Sequence, residues 1–210
     1  LKDNQSLTPE EQRKLLQWLF IAHMRGHYSM GSSESILDAD LGILFRNKGL
    51  DELKNQLHLH VKKFEVDYDD LSNRSIRSPF FSMLYFIFKH NGVKDWWSGL
   101  KLSDKHTGNA HTIQYHHIFP KSLLKEYEKK EVNEIANMAF IGGKANRYIT
   151  NKEPKDYMEK IIKEQKEDAL TSQLIPIDRD IWEIANYRKF LAFRRQAIAD
   201  EINKFMKKFE

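Results

Sequence analysis

The chain has 210 residues, 40% of them hydrophobic and 12% aromatic, enough to bury a core and too apolar for a disordered segment. Its 34 basic and 30 acidic residues leave a formal charge of +4, which permits a polyanionic partner without demanding one. The absence of cysteine excludes disulfides and thiolate zinc sites and suits a reducing cytoplasm. The longest strongly apolar run, FFSMLYFIF at 80–88, is about half a bilayer span, so no membrane partner is expected.

The opening Leu1, where a start would carry Met, reads as a segment of a longer protein. The first element is a helix: Thr8 suits the N-cap, Pro9 the first helical position and Glu11 a capping box, with Gly26 as the stop. Leu15, Leu16, Leu19 and Ala22 supply its apolar face. A second helix is expected from Ser33 to about Phe45 with Leu37, Leu41, Leu44 and Phe45 on one side, and a third over roughly 51–64. Residues 80–90 are apolar nearly all round and read as a buried helix.

After the polar stretch SDKHTGNA, residues 111–119 alternate as a strand. Ile113, Tyr115 and His117 share one face, Gln114 and His116 the other. A short helix is expected over PKSLLKEYEKK, then a second strand over 135–143 ending in Gly-Gly. KANRYI begins a helical turn, and Pro154 opens a further helix. A long amphipathic helix closes the chain, its apolar positions running from Ile184 and Tyr187 through Leu191, Ile198 and Ile202 to Phe205 and Phe209.

With nine histidines, an adjacent pair is weak evidence by itself. His23 and His27, at i and i+4, could share a helix face, but no third ligand accompanies them. His58 and His60 cannot chelate together from one helix. His106 and His111 are open between the site and an entry loop. Trp96 and Trp97 are open between base stacking and core packing. His116–His117 is different in kind. Pro120 follows three residues on, Asn137 lies twenty residues beyond His117, and Asn146 nine further.

The pattern HHIFP, IANMAFI and KANRYITNKEP resembles the HNH (His-Me finger, or ββα-metal) nuclease motif over about 112–158. A wider resemblance runs through LLQWLFIAHMRGHYSMGSSESILDADL, SPFFSMLYFIF and FLAFRRQAIADEINKF. Those segments are similar to the C-terminal half of GmrSD-type restriction endonucleases, bacterial anti-phage proteins. The resemblance implies a mainly α fold: a helical domain over 1–103, an inserted ββα-metal unit over 104–165, and a helical segment over 166–210 packing back on the helical domain. It implies a DNA endonuclease of the bacterial cytoplasm, whose partner is a nucleotide-hydrolysing and DNA-sensing N-terminal domain. That domain's Asp-Gly-Gln-Gln-Arg motif does not occur here.

By the same resemblance His117 is the general base and Asn137 the catalytic-loop residue that aims it. His116, where many relatives carry Asp, and Asn146 correspond to metal ligands. A sparse imidazole-and-amide set suits Mg²⁺ keeping most of its water, and the imidazole also suits Mn²⁺, Ni²⁺ or Zn²⁺. Lys121, Lys144, Arg147 and Lys152 are candidates for contacting DNA phosphates, or for solvated surface. A binding or regulatory module that no longer cleaves is the alternative.

Overall fold

A computed structural model of the chain describes residues 6–46, 49–104 and 113–210. The described residues are mainly helical, with one two-stranded sheet and a long helix near the C-terminus. His106 and His111 lie outside the described residues. Two compact units form: residues 1–66 with 202–210, and residues 67–201.

The first unit holds α1 (Pro9–Arg25), α2 (Ser33–Phe45) and α3 (Gly49–His60). Thr8 caps α1 in a capping box with Glu11, and Gly26 ends it at φ +65°, a left-handed conformation that costs glycine little. The buried positions of α1 are Gln17, Ile21, Ala22 and Met24, whereas Leu16 and Leu19 of the expected face are exposed.

The same displacement holds in α2, where Ile36, Asp40 and Ile43 are buried and Leu37, Leu41, Leu44 and Phe45 are exposed. The reason is polar. His27 sits in a short turn after α1, wholly buried, with Nε2 2.8 Å from Asp40 Oδ2. Tyr28 donates to that oxygen at 2.9 Å. Bringing Asp40 inward fixes which stripe of α2 is covered, and the leucines one position round face outward. His27 thus lies outside α1, not on a shared helix face with His23. The third helix ends at His60, before the expected 64, and His58 stacks on Phe64 at 3.8 Å between centroids.

The second unit begins with α4 (Tyr68–Leu71) and α5 (Pro79–His90), whose Phe80, Phe81, Leu84, Ile87 and Phe88 are buried. Then come β1 (Ile113–His117), α6 (Lys129–Val132), β2 (Met138–Gly142), α7 (Gly143–Ile149), α8 (Pro154–Gln165) and α9 (Asp168–Thr171). The last helix, α10 (Tyr187–Met206), runs on into the residues of the first unit. Of the helix expected over PKSLLKEYEKK, a 3-10 turn at Lys121–Leu123 forms, and Lys129 and Lys130 open α6. Between the two the chain leaves helical geometry, burying Leu124 and letting the Tyr127 hydroxyl donate to Ile184 O at 2.8 Å.

Strands β1 and β2 pair antiparallel, His116 opposite Ala139 and His117 opposite Met138. Every residue of β2 is buried, although among the described residues only β1 pairs with it. Side chains complete its other edge. Gln173 accepts from Phe140 N–H at 2.9 Å and donates to Phe140 O at 2.8 Å, standing in for a strand. Arg194, fully buried, donates to Met138 O and Ala136 O at 2.8 Å and to Gln173 O at 2.9 Å. The Asp95 carboxylate accepts from Gly142 N–H. A side-chain edge of this kind satisfies the backbone of β2, while β1 stays only partly buried.

Candidate active site around two adjacent imidazoles

The strand-end histidines point to different partners, as alternation requires. His116 shares its face with Gln114, and both reach α7. The Asn146 Nδ2 donates to Gln114 Oε1 at 2.7 Å. The Asn146 side chain also acts on the His116 ring, favouring its protonated form. Burial acts more strongly and lowers the His116 pKa from its ordinary value. Its Nε2 is buried with no hydrogen-bond partner. Such an atom is costly to leave unpaired.

His117 is half-buried, with Nε2 3.3 Å from Asn133 Oδ1. Burial pushes its pKa down to about 4, the Lys121 ammonium pushes the same way, Asn133 opposes, and His116 adds a small push down. The ring is therefore neutral at pH 7 and has a lone pair to offer.

Asn137 is fully buried between the chain leaving β1 and the chain entering β2. Its Oδ1 accepts from Phe119 N–H at 2.8 Å, and its Nδ2 donates to Phe119 O at 3.1 Å and Val132 O at 3.0 Å. Ile118 N–H donates to Asn137 O at 2.8 Å. These bonds set the direction in which the chain turns just after His117. Ser122 Oγ donates to Asn151 Oδ1 at 3.0 Å, tying that same loop to the far end of α7.

Lys121, Lys144 and Arg147 are exposed. Lys152 is half-buried and committed, donating to Tyr148 O at 2.8 Å with its nitrogen 3.4 Å from the Tyr148 ring centroid. It therefore caps the C-terminal end of α7, where a cation is favoured. Trp96 is core, fully buried, and Trp97 packs on Tyr148 at 4.5 Å between centroids.

Among the described residues no three His, Asp or Glu side chains converge as a metal site. The donors at hand are fewer: the unpartnered His116 Nε2, and the Asn146 side chain that reaches the same ring. An imidazole nitrogen and an amide oxygen fit a divalent cation that keeps waters and phosphate oxygens as its other ligands. Sequence reading missed Gln114 and Asn133. Gln114 carried a signal, since alternation puts it on the His116 face. Asn133 carried none, for only the folded loop brings it to His117.

A model of the family described as GmrSD restriction endonucleases, C-terminal domain, matches residues 63–199. Neither a curated protein nor a solved structure matches the chain.

Proposed function

The chain belongs to the family of GmrSD restriction endonuclease C-terminal domains, a nuclease family, and on that premise we propose that it is a metal-dependent DNA endonuclease module of the HNH type. The observation that carries the reading is the pair of rings at the end of β1. One has a buried, unpartnered nitrogen beside an aimed amide, and the other is neutral and half-buried. We assign the nuclease unit to 104–165, within the larger compact unit, with helical segments at 1–103 and 166–210 around it in sequence.

In this reading His117 accepts the proton of an attacking water, a role typically worth about 10² to 10⁴ in rate. A neutral ring can do so without prior deprotonation. Asn137 holds the backbone on which His117 is aimed, through its bonds to Phe119 and Val132. His116 and Asn146 would hold the divalent cation, Mg²⁺ in the first instance, with Gln114 fixing the amide. The cation supplies stabilisation for charge on the scissile phosphate and leaving oxygen. Lys121, Lys144 and Arg147 neutralise flanking phosphates, and the role of Lys152 is to stiffen α7. DNA is the substrate, and an N-terminal nucleotide-hydrolysing domain is the partner that would control access.

The test is plasmid nicking by the protein and by His117→Ala with Mg²⁺ or Mn²⁺. Loss of about 10² or more in rate is expected for the variant. Equal cleavage by both would remove His117 from the chemistry, and retention of DNA without nicking by either would make the chain a binding module.

A further inference from the structure

A general base must present a lone pair, and a neutral imidazole has only one, on the nitrogen that lacks the proton. Which nitrogen that is in His117 follows from how Asn133 is held. Asn133 closes α6, and its Nδ2 donates to Lys129 O at 2.8 Å. With the nitrogen spent behind, the amide turns its oxygen to the ring, Oδ1 lying 3.3 Å from His117 Nε2. A carbonyl oxygen only accepts, so the contact is favourable when Nε2 carries the hydrogen.

The holder is itself held. The Asn133 N–H donates to Lys129 O at 3.1 Å. Glu131, in the same turn, receives the Tyr187 hydroxyl on its backbone oxygen at 2.8 Å and Arg188 on its carboxylate. The acceptor is therefore a fixed feature of the unit. Among the described residues, the hydrogen bond of the His117 ring is the one through Nε2.

We propose that Asn133 is a positioning residue that locks His117 as the Nε2–H tautomer, so that Nδ1 is the nitrogen that receives the proton from water. The two neighbouring rings then work through opposite nitrogens, His116 by its orphaned Nε2 and His117 by Nδ1. The functional meaning rests on His117 being the base, but the tautomer itself does not.

The test uses the full chain with imidazole nitrogens labelled by ¹⁵N. In long-range proton–nitrogen spectra at neutral pH, His117 is expected to show a protonated Nε2 and an unprotonated Nδ1. In Asn133→Ala the two tautomers are expected to mix, and turnover is expected to fall about 10- to 100-fold with DNA affinity unchanged. A protonated Nδ1 in the parent protein would overturn the assignment, and so would an unmixed Nε2–H form in the variant. The parent spectrum is read without any variant, so a variant that failed to fold would leave the tautomer decided. Cleavage surviving His117→Ala, with the Nε2–H form intact, would sink the proposed function and leave this inference standing.

Discussion

At the scale of single residues, the neutrality of His117 has a thermodynamic consequence. Its pKa is pushed from the ordinary 6.5 to about 4 by burial, while in the unfolded chain it titrates normally. Between those values the unfolded state binds more protons, so stability is greatest above pH 6.5 and falls as pH drops through the window to about 4. His116, also lowered, adds in the same direction. Thermal melts at pH 7, 5.5 and 4.5 should show a falling midpoint, with a shallower fall in His117→Gln. Gln114 yields a second prediction at this scale. Removing its oxygen in Gln114→Leu lets the Asn146 amide rotate, since that hydrogen bond is what commits the nitrogen. Affinity for Mn²⁺ measured by calorimetry should weaken about 10- to 100-fold, the usual cost of losing an outer orienting partner. Unchanged affinity would mean Gln114 does not orient the amide.

At the scale of elements, the stability of the site depends on the unshared edge of β2. Gln173 satisfies both Phe140 backbone groups, and Arg194 satisfies the carbonyl of Met138. Gln173→Leu would leave buried backbone groups unmet, at about 1–3 kcal/mol each. Urea unfolding should show a loss on the order of 2–4 kcal/mol, and a loss under 0.5 kcal/mol would contradict the assigned role. Asn137→Ala should cost a similar amount for the same reason, since three backbone groups lose their partner. Much of this unit was legible beforehand. The strands, Pro154 and the long last helix follow from alternation, a helix-starting proline and a 3–4 residue repeat. The side-chain edge was not, because Gln173 and Arg194 act across 33 and 56 residues of sequence and match no local period. The interrupted helix after Pro120 has the same origin: burying Leu124 outweighed a weak local preference.

At the scale of the whole molecule, the helical unit shows how amphipathic reading fails when a polar residue is the anchor. Counting leucines pointed to one face of α2, but Asp40 belongs to the buried stripe because His27 and Tyr28 bind it. Leu37→Lys on the exposed face should change stability by about 0.5 kcal/mol or less, whereas Ile43→Ala should cost about 2–4 kcal/mol, both measurable by denaturant titration. The family match covers 63–199 and so includes the entire site. The candidate residues were singled out by spacing together with resemblance, while Asn133, drawn in by a loop, was marked by neither.

The proposed chemistry requires His116 and Asn146 to share a cation beside His117. The most direct measurement is anomalous diffraction from crystals soaked in Mn²⁺. The expected result is one peak within coordination distance of His116 Nε2 and the Asn146 amide oxygen, on the side of β1 that α7 faces. Crystals that nick DNA when dissolved, yet carry Mn²⁺ elsewhere and leave His116 Nε2 bare, would contradict it.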